Sequence, residues 1–156
     1  DYFIANSNEV KTRIEKHYKR EAVVINPPVR CKLFNISDVD GDYYLVLSRL
    51  VTYKRFDLAV KACKELGRKL VVIGDGPERE NLQKMAEGSE NIKFLGRLPD
   101  EEVKKYMAEC KALIFPGEED FGIVPVEAES CGRPVIAYGK GGVLDSVIDR
   151  KNWSIF

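Results

Sequence analysis

Five short apolar runs recur along the chain: Tyr43 to Leu47, Leu70 to Ile73, Ile92 to Leu95, Ala112 to Phe115 and Pro134 to Ala137. Such a run bounded by turn formers reads as a strand buried on both faces. The segments between carry the helical period. Phe56, Val60, Cys63 and Leu66 mark a first helix, Leu82, Met85 and Ala86 a second, and Val103, Tyr106, Met107 and Cys110 a third. Strand–helix alternation at this spacing predicts a parallel sheet, because right-handed crossovers lay the helices on its faces. The expected fold class is α/β: a Rossmann-like three-layer sandwich with a mainly parallel sheet.

The ends of the helices also carry local signals. Pro99-Asp100-Glu101-Glu102 is a helix start, with Asp100 as candidate cap and two acids in the dipole-favoured first turn. The first segment differs in character: Asp1 to Ala5 and Ala22 to Ile25 read as strands around a helix that Ser7 caps and that carries Val10, Ile14 and Tyr18. It has the look of a connector. Cys31 to Asp42 is polar and irregular, and is expected to be a mobile loop.

At 156 residues the chain suits one domain with a single core. Its 25 Lys and Arg balance 25 Asp and Glu, so no clustered basic face argues for nucleic acid as a partner. The four cysteines are widely spaced, without a Cys-x-x-Cys pair, and His17 is the lone histidine. Neither zinc nor a disulfide framework is indicated, and four reduced core thiols in a cytoplasmic protein are expected. No run is long enough for a membrane span, and the start lacks the pattern of a secretion signal.

The densest chemistry lies in Gly117-Glu118-Glu119-Asp120-Phe121-Gly122-Ile123-Val124-Pro125-Val126-Glu127-Ala128. Phe115-Pro116-Gly117 closes a strand, Gly122 permits a turn closed to other residues, and Pro125 suits the first turn of a helix beginning near Ile123. Val124, Ala128 and Cys131 fall on one helix face, Gly132-Arg133-Pro134 stops it, and Glu127 is expected in its first turn. Free N–H groups at such a start favour an anion such as phosphate. Carboxylates only accept hydrogen bonds, so Glu119 and Glu127 beside an anion suit the hydroxyls of a sugar or ribose. The competing reading makes Glu127 a dipole complement and Glu118 to Asp120 a solvated loop.

Ser48 to Arg55 follows the first strand of the repeat at its carboxyl end, where ligands of open α/β sheets bind. Arg49 could chelate phosphate oxygens through its fork, and Lys54 adds a point charge; the alternative is ordinary surface charge. Gly74-Asp75-Gly76-Pro77-Glu78-Arg79 is only a partial dinucleotide fingerprint, since Arg79 replaces the third glycine and no ribose-binding acid follows the next strand. It implies a turn that lets a ligand lie near the strand end. Asp38-Val39-Asp40-Gly41-Asp42 fits neither a calcium loop nor a catalytic metal pair, and reads as a solvated turn. Tyr138-Gly139-Lys140-Gly141-Gly142 could bring backbone and Lys140 toward a ligand.

With these pieces in order, the chain resembles the carboxyl-terminal, donor-binding domain of retaining glycosyltransferases of family 4, whose GT-B fold sets two Rossmann-like domains across a cleft. The resemblance rests on Ser48-Arg49-Leu50 to Lys54, Gly74-Asp75-Gly76-Pro77, Phe94-Leu95-Gly96-Arg97-Leu98, the two glutamates with seven residues between them, and Gly132-Arg133-Pro134-Val135-Ile136-Ala137. It implies Arg49 and Lys54 on a donor diphosphate and Glu127 on the ribose. Glu119 and the N–H groups of Phe121, Gly122, Ile123 and Val124 would hold the sugar, the backbone of Arg97 and Leu98 would meet the base, and Gly74 and Gly76 would line the donor. Arg49, Lys54 and Glu119 are the residues it makes catalytic.

The wording from Glu118 to Ala128, followed by Tyr138 to Gly142, looks most like mannosyltransferases that use GDP-mannose to build cell-surface polysaccharides. A UDP-sugar donor, or a noncatalytic nucleotide-binding module, are the alternatives. By the same resemblance, residues 1–26 are a connector from an amino-terminal acceptor domain, and residues 27–156 are a donor domain cut short at its carboxyl end. The expected partners are a nucleotide sugar and, through the other domain, a polysaccharide or lipid-linked acceptor. No metal or other cofactor is expected. The parent enzyme would be cytoplasmic, peripheral to the membrane if its acceptor is lipid-linked, and the fragment alone would transfer little sugar.

Overall fold

Leu45 and Val46, adjacent in one strand, are both fully buried yet belong to different cores, so the strand that carries them is covered on both faces. The computed structural model describes residues 2–148 and 154–155. Strand β1 (Phe3–Ala5), helix α1 (Asn8–Tyr18) and β2 (Ala22–Val24) open the chain, and β1 and β2 form a small parallel sheet of their own. Ser7 caps α1 as expected, its hydroxyl accepting from the Val10 N–H at 3.2 Å, a contact that stabilises a helix by about 1 kcal/mol.

The repeat follows: β3 (Tyr43–Leu47), α2 (Phe56–Glu65), β4 (Lys69–Ile73), α3 (Arg79–Ala86), β5 (Ile92–Gly96), α4 (Asp100–Glu109), β6 (Ala112–Phe115), α5 (Ile123–Ser130), β7 (Val135–Ala137) and β8 (Ser154–Ile155). All described pairings are parallel, in the order β5-β4-β3-β6-β7-β8. Period-2 alternation splits the strand residues between two layers. Leu70 and Val72 pack with Phe56, Val60 and Cys63 of α2, while Val71 and Ile73 pack with Met107 of α4 and Ala128 of α5.

That strand order decides where a ligand can enter. After β3 the chain builds outward through β4 and β5, then crosses back and adds β6 on the other side of β3. The loops leaving β3 and β6 therefore diverge to opposite faces and open a crevice between them, the switch point at which open α/β sheets bind ligands.

Several expectations need correction. Leu66 is the cap residue after α2 and is 71% exposed, because the helix ends at Glu65 and turns its last apolar residue outward. Asp100 is the first residue of α4 and makes no capping bond; the cap position is Pro99. Segment 31–42 is tied down, with a single 3-10 turn at Cys31–Leu33. Buried Arg133 donates to Ser37 O (2.9 Å), Val39 O (2.9 Å), Ala108 O (2.6 Å) and the Asp40 carboxylate (2.9 Å), and Gly41 N donates to Glu109 O at 2.8 Å. Asp40 is thus a salt-bridge partner, and Asp42 pairs with Lys69. All four cysteines are free, but only Cys63, Cys110 and Cys131 are buried, while Cys31 is exposed. Burial pushes the Cys110 thiol up to about 12 and raises those of Cys63 and Cys131, so these three are packing groups with little thiolate character.

Candidate functional site

The loop leaving β3 runs through Arg49 into a 3-10 turn, Thr52–Lys54, and Arg55 closes that turn in the left-handed region (φ 53°) at the start of α2. The loop leaving β6 runs through Pro116 and Gly117 to the acidic stretch. The two loops touch at Gly117, where an added Cβ would lie 2.8 Å from Lys54 Cα and 2.9 Å from the carbonyl oxygens of Tyr53 and Lys54. Only a glycine lets the backbones approach that closely. The contact brings Lys54 and Glu119, 65 residues apart in sequence, into an ion pair whose side chains are 12% and 21% exposed. Lys54 also stands 5.3 Å from the centroid of the Tyr53 ring.

Glu119 is held from the other side by the loop after β7. Gly142 N donates to Glu119 O at 2.7 Å, Glu119 pairs with Gly141 in a β-bridge, and Lys140 reaches Glu118 at 3.1 Å. The loop from Tyr138 to Gly142 therefore acts on the acidic stretch. Glu118 holds the Lys140 ammonium and raises its pKa.

Helix α5 starts at Ile123 after Gly122, whose φ of 91° is the left-handed turn expected there. No side chain caps it, and the N–H groups of Phe121 to Val124 have no hydrogen-bond acceptor among the described residues. They form an anion-favouring helix start. Phe121 is buried and Val124 packs on the core, whereas Ile123 is 45% exposed. Glu127 is the fifth residue of α5 and so lies beyond the first turn, where no acid is found. Its carboxylate has no hydrogen bond or ion pair among the described residues. Burial, then the nearby charge of Asp100, raises its pKa. Such a group gains most from a ligand that supplies hydroxyl donors.

Arg49 is exposed beside this crevice and makes no ion pair among the described residues. Gly74 and Gly76 make room for the main chain, since an added Cβ would lie 1.9 Å from Ser48 O and 2.3 Å from Leu50 O. At both positions the side that a Cβ would take is filled by the backbone on either side of Arg49. Arg97 is exposed at the end of β5, and Leu98 packs on the core. His17 lies exposed in the last turn of α1.

Residues that spacing along the chain did not suggest also reach the site. Arg13 of α1 pairs with Asp120, and Asp145 accepts from Asn8 N (2.9 Å) and Asn8 Nδ2 (3.2 Å). Glu9 and Arg13 line a cavity of about 570 Å³ with Glu119, Tyr53 and Tyr138. The i, i+4 pair Glu9 and Arg13 on one face of α1 was the available signal, and it reads equally as a wet helix face. A second cavity, of about 400 Å³, is lined by Ile123 at the α5 start, Glu127 and Asp100, with Arg30 and Lys104 among its other residues. Among the described residues no three His, Cys, Asp or Glu side chains gather as a metal-ligand set. No helix among them is long and apolar enough to cross a membrane.

A parallel sheet with its switch-point crevice walled by a cationic loop and an uncapped helix start defines a Rossmann-like domain of the GT-B type, the nucleotide-sugar half of that fold. The chain belongs to the family of glycosyl transferases group 1, whose model matches residues 34–156. It is 30% identical over 155 residues to the uncharacterized glycosyltransferase MJ1178 of Methanocaldococcus jannaschii, covering 97% of this chain and 44% of that protein. It is 33% identical over 132 residues to the GDP-mannose-dependent α-(1-6)-phosphatidylinositol monomannoside mannosyltransferase of Mycolicibacterium smegmatis, covering 74% of this chain and 35% of that enzyme. The Anabaena protein Alr3699/HepE, in a crystal structure with UDP-glucose, superposes with a TM-score of 0.88 at 25% identity over 99% of this chain and 49% of its own. The chain thus spans less than half the length of these relatives.

Proposed function

We propose that these residues bind the nucleotide-sugar donor of a retaining glycosyltransferase, with the diphosphate against Arg49, Lys54 and the start of α5. The observation that carries this reading is the meeting of Lys54 and Glu119 at the switch point, next to free N–H groups. Lys54 supplies charge to phosphate, Glu119 and the N–H groups of Phe121 to Val124 accept and donate to the sugar, and Glu127 takes the ribose hydroxyls. The main chain at Arg97 and Leu98 faces the base, while Gly74 and Gly76 hold the Arg49 loop in place. Residues 1–26 are read as a connector and residues 27–156 as the donor domain.

In the reaction, the bond between the anomeric carbon and the diphosphate opens, negative charge gathers on the leaving diphosphate, and the acceptor hydroxyl attacks from the vacated face and gives its proton to the departing diphosphate. Arg49, Lys54 and the α5 amino terminus are aimed at that charge and stabilise it, the role a metal ion plays elsewhere. Acceptor recognition belongs to the remainder of a longer protein, working at the cytoplasmic membrane surface if the acceptor is lipid-linked. Activity of the full-length enzyme that vanishes in EDTA and returns with manganese overturns the metal-free account.

GDP-mannose is the donor favoured here, in keeping with the activity named for the mycobacterial relative. A UDP-sugar is the second reading, which the UDP-glucose complex of the Anabaena protein favours. Calorimetry with GDP, UDP, GDP-mannose, UDP-glucose and NADH tests both. Binding of NADH alone, or of none of them, defeats the proposal.

A further inference from the structure

Helix α1 lies far from the crevice in sequence, yet it grips the acidic stretch at two places, and both lead to Glu119. Arg13 donates from Nη2 to the Asp120 carboxylate, which is 107 residues away and next to Glu119. The second grip runs through Asp145, which accepts from Asn8 N (2.9 Å), Asn8 Nδ2 (3.2 Å) and Asn26 Nδ2 (3.4 Å). Asp145 ends the 3-10 turn Gly142–Asp145, and the first residue of that turn donates its N–H to Glu119 O at 2.7 Å. The turn also packs hard against the stretch. An added Cβ on Gly142 would lie 1.9 Å from Asp120 O, and one on Gly141 would lie 2.6 Å from Glu119 O.

We propose that Arg13 is a positioning residue for the transferred sugar: through Asp120 it sets the Glu119 carboxylate against the donor. The inference rests on the assignment of Glu119 to the sugar. The Gly142 turn holds the main chain at Glu119, and Lys54 draws the Glu119 side chain toward the crevice. The Arg13–Asp120 pair adds a tie on the helix side of Glu119, before the left-handed turn at Gly122 (φ 91°). The side chains of Arg13 and Asp120 are 47% and 61% exposed, so the pair contributes little to the stability of the fold. Its effect falls on geometry instead. A contact group about 1 Å out of place can cost about a hundredfold in rate, and a helix holds such a group more precisely than a loop does. The fold tolerates loss of this pair, whereas the sugar contact does not.

The test is calorimetry with GDP and GDP-mannose, and with UDP and UDP-glucose, on the native chain, Arg13→Gln, Asp120→Asn, Glu119→Gln and the double variant Arg13→Gln/Glu119→Gln. The quantity read is the affinity of the sugar nucleotide relative to its diphosphate, for whichever pair binds the native chain. Lys11→Gln is the control, because the ion pair of Lys11 with Glu15 (3.8 Å) stays within α1. Arg13→Gln and Asp120→Asn should each lower that ratio about threefold to tenfold, as expected for residues coupled in one network. The diphosphate alone should stay within about twofold of its native affinity. Lys11→Gln should change neither, and Arg13→Gln should have no further effect once Glu119 is Gln. An unchanged ratio in Arg13→Gln overturns the inference, as does an equal loss for diphosphate and sugar nucleotide, or a loss that adds to that of Glu119→Gln or that Lys11→Gln matches. In each of those cases a ratio lowered by Glu119→Gln keeps the sugar assignment of Glu119. If Glu119→Gln leaves the ratio unchanged, that assignment fails and this inference fails with it, and binding of none of the four ligands to the native chain defeats the donor-site reading as well.

Discussion

Lys54→Met keeps most of the lysine stem and removes its charge, and the structure sets its effect against that of Glu119→Gln. In the free chain Lys54 is engaged by Glu119, with little solvent around either side chain. A diphosphate entering the crevice must share or take over that ammonium. Losing a hydrogen bond to a charged group costs about 1.5 to 3 kcal/mol, so Lys54→Met should weaken GDP binding about tenfold to hundredfold. Glu119→Gln removes the competitor. Removing one partner of a pair with so little solvent around it leaves the ammonium uncompensated, so Glu119→Gln should tighten GDP by about fivefold or more. The same variant should weaken GDP-mannose relative to GDP, because Glu119 is assigned to the sugar. Calorimetry with both ligands, at low and high salt, reads all three effects, and salt should shrink the Lys54 effect. If Lys54→Met binds GDP as the native chain does, or if Glu119→Gln weakens GDP in step with it, the pair is a structural tie and the phosphate assignment is wrong.

Arg133→Ala strands the Ala108 carbonyl and frees segment 34–42; urea denaturation should show a loss of about 2 to 4 kcal/mol, and a loss under about 1 kcal/mol refutes the clamp. Gly117→Ala places a Cβ 2.8 Å from Lys54 Cα; overpacking costs about 1 to 3 kcal/mol, and the displaced Lys54 should weaken GDP in the protein that remains folded, as titration after refolding would show. Glu127 has a raised pKa in the folded chain because burial and Asp100 oppose its charge. Its ionised form is therefore destabilising above the folded-state value, and the penalty fades as pH falls through that value toward the ordinary carboxylate range. Glu127→Gln should accordingly stabilise the chain near pH 8 and not at pH 4 in paired thermal melts, while weakening nucleotide binding; stabilisation confined to acid pH would contradict the assignment.

The elements of the fold were legible because each is a local, periodic signal. Tyr43–Leu47 and Ala112–Phe115 appear as strands with the bounds their apolar runs suggest, and α5 begins at Ile123 where Gly122 and Pro125 place it. Single positions at element ends were less legible. Glu127 and Leu66 fell outside the expected turn and core, and Asp100 outside the expected cap, since one residue of drift in a helix rotates a side chain by about a quarter turn. The anchoring of segment 31–42 was hidden for another reason. Its partner Arg133 lies more than 90 residues away in sequence, and a buried arginine and a helix-stopping one look alike in a string of letters.

By itself, the sequence determined the layered parallel architecture, the uncapped helix start after Gly122 and the chemical types available at the strand ends, because these follow from side-chain period and backbone permission over a few residues. Only the tertiary structure decided which ends meet. Adding β6 beside β3 set Glu119 on Lys54 and closed the Gly117 contact, docking of α1 brought Arg13 to Asp120, and the placement of α4 beside α5 put Asp100 in one cavity with Glu127. Strand order is a property of long-range packing, and no short window of sequence carries it.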